Sequence, residues 1–268
     1  MMLLTHLAVW SLVAFAALLF GAQLAAHELG AWIGRRRVRR RDARKEGAGV
    51  LVGSLLGLLA FVLALTLSFA NERFSGRHAG TLNEANAIGT AWLRAKAAGQ
   101  QEGDRIAKLL EEYANQRIAF VRSPHDLAAL ERIDARTQEL QSAIWEQVSA
   151  IVRERPDPFS TSLMASLNDV FDMTTAQRFA FETRLPAEIF WLLLGLTLLG
   201  MGVLGYELAL IGVQIRFLTA VLSFTWTIVI VDIIDLSAPR LGGIRTSTAA
   251  YEWTIQGFHT ETPDQSAR

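Results

Sequence analysis

Few side chains in this chain have both the type and the spacing that chemistry needs. His27 and Glu28 open like a zinc-protease helix motif, but the second histidine would fall at Ala31. The five histidines (His6, His27, His78, His125, His259) are scattered and set no metal-ligand spacing. Cysteine is absent, which removes disulfides, zinc–thiolate sites, iron–sulfur clusters and thiol nucleophiles together. No glycine-rich phosphate loop and no Gly-x-Ser-x-Gly elbow occurs. Asp169 and Asp172, three apart beside Asn168 and near Arg178, read as a solvated helix face or a local ion pair. The expectation is therefore no enzyme, no cofactor and no metal.

Three other groups stand out. Phe61, Leu65 and Phe69 recur every four residues, and one such apolar set from each of several subunits can gate ions by dewetting. The plainer reading makes them lipid-facing or interhelical. Gly49, Gly53 and Gly57 share that spacing, the small-residue pattern that lets helix backbones approach closely in lipid. At about 100° per residue each four-residue step drifts about 40°, so Gly49 and Phe69 lie roughly 200° apart and the two sets do not share one face. Asn83, Glu84 and Asn86 form the sharpest polar group, with Asn83, Asn86 and Thr90 on one line. It reads as a polar vestibule or subunit contact, or as buried hydrogen bonds fixing helix register.

The elements that must position these residues are mostly membrane spans. Of 268 residues 51% are hydrophobic, and four apolar runs at about 7–26, 50–70, 189–209 and 217–236 each have the length a helix needs to cross a bilayer. No charge sits near the centre of any of them; Glu207, Asp232 and Asp235 lie near span ends. The start MMLLTH has no Lys or Arg, and the first run is too long for a secretory signal core. Lys plus Arg equals Asp plus Glu at 26 each, so no charge excess points to nucleic acid.

The layout is then 1–70, a first transmembrane pair with an Arg-rich loop; 71–188, a helical extramembrane domain; 189–236, a second pair; and 237–268, a tail. Residues 27–49 hold eight Lys/Arg against three acids, and such a cluster between two spans belongs in the cytoplasm. That rule puts the N-terminus, 71–188 and the tail outside. Within 71–188 the apolar spacing predicts helices over 78–98, 104–121, a third beginning with Ser123 as cap and Pro124 in its first turn, and a fourth from about Ser160. The third carries a stripe (Leu127, Leu130, Ile133, Thr137, Leu140, Ile144, Val148, Ile151) close to a heptad seam. Arg155-Pro156-Asp157-Pro158 ends it. The fold class is all-α: an integral membrane protein with four transmembrane helices and a helical extramembrane domain.

The stretch from Gly57 to Ala95, GLLAFVLALTLSFANERF…LNEANAIGTAWLRA, resembles a bestrophin-like bacterial membrane family long catalogued as a domain of unknown function. The second membrane helix runs into an EANAIG helix, here Glu84 to Gly89. Leu167-Asn168-Asp169 with Arg178 and Arg184-Leu185-Pro186 agrees, as does the closing Asp232-Ile233-Ile234-Asp235-Leu236-Ser237-Ala238-Pro239-Arg240 with Gly243-Ile244-Arg245. That ending more often reads Asp-x-Asp-x-Pro-x-x-Gly; here Ser237 holds the second acidic position, or the register shifts by two. The resemblance implies a bacterial inner-membrane protein and distant kinship to bestrophins. These are pentameric ion channels whose second helix lines the pore, with three apolar side chains spaced four apart at the constriction. By analogy Phe61, Leu65 and Phe69 form that constriction, and the partners are the lipid bilayer, further copies of the chain and inorganic ions. Bestrophins keep their helical domain in the cytoplasm, opposite to the side the arginine cluster assigns here. The alternative is a non-conducting envelope protein whose helical domain binds a partner or senses stress, motivated by the stripe from Leu127 to Ile151.

Overall fold

The computed structural model describes residues 2–39, 48–99, 101–124, 126–183, 186–240 and 242–260. Arg40, Arg41, Arg44 and Lys45 of the arginine cluster, with Arg184 and Leu185 of the family motif, fall outside them. Among the described residues there are eight helices and no strand: α1 (Met2–Arg39), α2 (Ala48–Ala97), α3 (Gln101–Arg122), α4 (Leu127–Glu154), α5 (Pro158–Glu182), α6 (Ala187–Ile211), α7 (Arg216–Ser237) and α8 (Ala249–Thr260). Stretches of α1, α2, α6 and α7 are long and apolar enough to cross a membrane. The chain is an all-α membrane protein with four such helices.

Two compact units divide the chain. One comprises Met1–Arg73 with Arg184–Ile244, the other Phe74–Thr183 with Arg245–Arg268. The division differs from the layout expected from sequence in two ways. α2 carries both the second span and the 78–98 stretch as one helix of 50 residues, about 75 Å at 1.5 Å per residue, more than twice a bilayer core. The expected tail contains α8, whose Tyr251 and Phe258 are buried in the second unit.

In the membrane unit, α1 runs past the expected span end at 26 to Arg39 and packs on α6 through glycines. A Cβ at Gly30 would meet the Gly202 carbonyl oxygen at 1.8 Å, and one at Gly205 would meet that of His27 at 2.1 Å. Gly34 faces Tyr206 and Ala209 in the same way. Without hydrophobic drive between helices in lipid, such close backbone contact is what holds them. The glycines singled out from sequence do not serve here: Gly53 and Gly57 have nothing within 4 Å of a built Cβ, and Gly49 meets only Glu207 Oε1 at 3.4 Å. The Gly30/Gly34 pair shows the same spacing, but lies beyond the end of the apolar run at Ala26. Leu19, Leu59, Leu63, Leu193, Met201 and Ile230 form the apolar interior, and Gln23 Nε2 donates to Thr227 Oγ1 at 3.1 Å within it.

In the other unit the helix starts follow capping chemistry. Asp126, not Ser123, caps α4, accepting from the Ala128 and Ala129 amides, because Pro124 stays outside the helix. Asp157 caps α5 in a reciprocal box with Ser160, with Pro158 at the first helical position. The later part of the α4 stripe is consumed internally: Leu140, Ile144, Val148 and Ile151 are buried in the core with residues of α2, α3, α5 and α8, whereas Leu130 and Ile133 are partly buried and Leu127 is exposed.

Replacing Gly30 with Val places methyl groups where the Gly202 carbonyl stands. The detergent-solubilised protein is expected to lose about 1–3 kcal/mol or fail to accumulate, whereas Gly53→Val leaves the melting temperature of the protomer unchanged; a thermal unfolding scan of both variants checks this.

Candidate functional site on the second helix

The apolar trio lies on the outside of the protomer. Phe61 is 65% exposed and Leu65 and Phe69 each 44%. The buried positions of the same stretch are Leu59, Leu63, Thr66 and Ala70. At about 100° per residue these fall some 140–200° round the helix from Phe61 but only about 60–120° from Phe69, so the two stripes lie on different sides of the helix without being opposite throughout. Thr66 causes no polar defect in the buried stripe, because its Oγ1 donates to the Val62 carbonyl at 2.7 Å. Three large apolar side chains are thus exposed on the protomer, Phe61 most and Leu65 and Phe69 in part.

The extramembrane half of α2 repeats the division and splits the polar group. Asn83, Asn86 and Thr90 are exposed, whereas Glu84 is fully buried. Glu84 belongs to a buried hydrogen-bond network. Glu84 accepts from side chains of three other helices. The Arg117 guanidinium donates to Oε1 through Nε at 2.6 Å and to Oε2 through Nη2 at 3.4 Å. Thr174 Oγ1 donates to Oε1 at 2.7 Å, and Tyr251 OH to Oε2 at 2.6 Å. Because the Thr174 proton is then committed, Tyr113 OH donates to Thr174 Oγ1 at 2.5 Å, and accepts from Gln141 Nε2 at 2.9 Å. Arg117, 1% exposed, also lies over the Phe120 ring at 4.4 Å.

The electrostatics follow from that burial. Desolvation pushes the Tyr113 phenol up to about 12, and the Glu84 carboxylate adds to it. Burial and Glu84 likewise hold Tyr251 well above the ordinary tyrosine range. For Arg117 burial works downward, but Glu84 and the two tyrosines outweigh it and the net shift is upward. A carboxylate with four donors and a paired guanidinium is satisfied; removing either ion alone strands the other, a loss of about 3–5 kcal/mol.

The closing motif forms a turn after α7. The Asp235 carboxylate accepts the backbone N–H of Gly243 at 3.1 Å and of Ile244 at 3.3 Å. Gly242 has φ +87°, and a Cβ there would meet Asp235 Oδ1 at 1.8 Å. Asp235 therefore has a structural role in this turn. Pro239 is buried, Arg240 and Arg245 half-buried, and Asp232 and Gly243 exposed. Sequence reading missed Tyr113, Arg117 and Tyr251 as partners of Glu84; a polar residue interrupting the apolar stripe of each helix was the available signal.

A phenol whose pKa rises on folding contributes stability that is complete below its ordinary value of 10 and is lost as pH climbs toward 12. Thermal unfolding from pH 9 to 12 is expected to show that loss, with Tyr113→Phe removing up to about 2–3 kcal/mol of the pH-dependent part. An unchanged pH profile in the variant would contradict the placement of Tyr113.

A bestrophin-like domain profile matches residues 21–251. No curated protein sequence matches the chain. Among solved structures, a single-substitution variant of a bacterial bestrophin homologue from Klebsiella pneumoniae aligns with TM-score 0.71 at 13% identity, covering 93% of this chain and 97% of that one. A second structure of a bacterial bestrophin homologue from Klebsiella pneumoniae aligns with TM-score 0.67 at 14% identity over 90% and 98% of the two chains. At such identity the likeness is one of fold, and it extends over nearly the whole of both chains. With the profile spanning most of its length, this chain belongs to the bestrophin-like family.

Proposed function

We propose that the protein is a homo-oligomeric ion channel in which α2 lines the pore and Phe61, Leu65 and Phe69 form an apolar constriction. The observation that carries the reading is the exposed stripe of α2. Three large apolar side chains, spaced four apart, face outward on a helix whose other side is buried. A shared passage built from several copies gives them a partner, in the arrangement that the bestrophin resemblance implies. Gly53 and Gly57, open on the same helix, leave room for a neighbouring copy. A pentamer is the assembly suggested by family analogy. The partner-binding alternative rests on the α4 stripe from Leu127 to Ile151; its part from Thr137 to Ile151 is buried within the chain, which leaves Leu127, 69% exposed, as the end open to a partner.

For orientation, the arginine-rich end of α1 is assigned to the cytoplasm by the positive-inside rule. With four crossings, residues 71–188 and the C-terminal segment share the opposite side. The co-residence of α8 with α3, α4 and α5 in one compact unit supports their being on a common side. Kinship to bestrophins would instead place that unit in the cytoplasm.

In liposomes loaded with an ion-sensitive dye, the purified protein is expected to pass ions, and the triple change Phe61→Ala, Leu65→Ala, Phe69→Ala to raise the flux severalfold. Absence of flux from both proteins under several pH and ionic conditions would sink the reading. For the orientation, single cysteines at Glu112 and Arg39 are expected to react with an impermeant thiol reagent from outside and inside the cell respectively. The reverse pattern would favour the bestrophin arrangement.

A further inference from the structure

The membrane unit holds a cavity of about 100 Å³ where the C-terminal half of α1 meets the end of α6 and the start of α7. Its charged and polar lining comes from His27, Glu28, Arg35, Gln214 and Arg216. Glu28 is shared between two cations: Arg35 Nη2 lies 3.5 Å from its Oε2 and Arg216 Nε 3.7 Å from its Oε1. Both separations are well beyond the 2.7–2.9 Å of a good charge-assisted hydrogen bond. One carboxylate therefore holds two guanidinium groups loosely, and the site keeps a net positive charge.

Two further observations point to an anion. His27 is only 8% exposed, yet its buried Nε2 has no hydrogen-bond partner. Its place in the wall is fixed by the Gly205 contact, where a Cβ would stand 2.1 Å from the His27 carbonyl. α7 begins at this cavity, with Ile215 in the cap position and no side chain accepting from its first amides. A helix of 22 residues with its leading N–H groups uncapped offers dipole and donors to a negative group. Two planar guanidinium forks, a lone imidazole nitrogen and an uncapped helix start together match a tetrahedral oxyanion.

The rim decides between a dissolved anion and a membrane one. Val213 belongs to the lining, and Leu29, Trp32, Ile211, Phe217 and Leu218, within two residues of it in sequence, are exposed apolar residues, Phe217 at 79%. A soluble phosphate has no use for them, whereas acyl chains would cover them. We propose that this cavity binds the phosphate of an anionic membrane lipid. The phosphate takes the place that the Glu28 oxygens now fill between Arg35 and Arg216, accepts from the first α7 amides and, once the imidazole turns to present it, from His27 Nε2–H, and its chains lie over the apolar rim. The assignment does not depend on ion conduction.

Native mass spectrometry of the full chain in detergent, with dioleoyl phosphatidylglycerol or dioleoyl phosphatidylcholine added, tests it. Phosphatidylglycerol is expected to be retained about tenfold more than phosphatidylcholine, whose choline cation would meet the two arginines, and Arg35→Gln with Arg216→Gln to cut retention by about the same factor. Glu28→Gln removes the competing carboxylate and is expected to raise retention. That gain of binding is a readout misfolding cannot produce, and it decides the matter if the double variant fails to accumulate. Equal retention of the two lipids, indifference to the arginine changes in a folded variant, or weaker binding in Glu28→Gln would overturn the proposal. So would displacement of the lipid by millimolar inorganic phosphate, since the site would then serve a soluble anion.

Discussion

A carboxylate with no access to water organises the extramembrane unit. Glu84 is buried on α2, and burying an ionised group costs far more than a helix gains from its other contacts unless the charge is paired and hydrogen-bonded. That requirement is met by Arg117 from α3, Thr174 from α5 and Tyr251 from α8, with Tyr113 and Gln141 completing the chain of donors. Apolar packing alone tolerates a small slip of one helix along another. A network with defined donors and acceptors does not, so Glu84 sets the register in which Ile88, Leu110, Ile144 and Leu167 meet.

The same requirement accounts for the outward stripe of α2. Once Glu84, Ile88 and Trp92 are committed to the core of one unit, and Leu59, Leu63 and Ala70 to the core of the other, the remaining face of the helix is left largely exposed. Phe61, Leu65, Phe69, Asn83 and Asn86 all lie on it. The large residues there are apolar in the span and the polar ones lie outside it, as expected of a surface that passes from lipid depth to water.

Hydropathy and length made the four spans legible, because a bilayer imposes a run of about 20 apolar residues that little else explains. Helical periodicity likewise gave the α3, α4 and α5 stripes. What stayed hidden depended on partners far away in sequence. Gly30 and Gly34 look like any loop glycines until α6 is set against them, and Gly53 and Gly57 look like packing residues until nothing is found beside them. Glu84 was visible as a polar interruption, but its burial could not be separated from exposure until Arg117 and Tyr251 converged on it. The cap of α4 was misplaced for a local reason: Asp126 competes with Ser123, and the choice falls to the residue whose oxygen reaches the first free amides.

The donor from α8 has a consequence for biogenesis. Tyr251 follows Glu84 by 167 residues, with both later hydrophobic segments between them. During synthesis the acid is made early and must wait, solvated or provisionally held by Arg117, while the ribosome and the insertion machinery complete the rest. The unit therefore reaches its final arrangement only after the last segment has been delivered, and a chain stopped short of Tyr251 carries an unfinished interior that quality control can recognise.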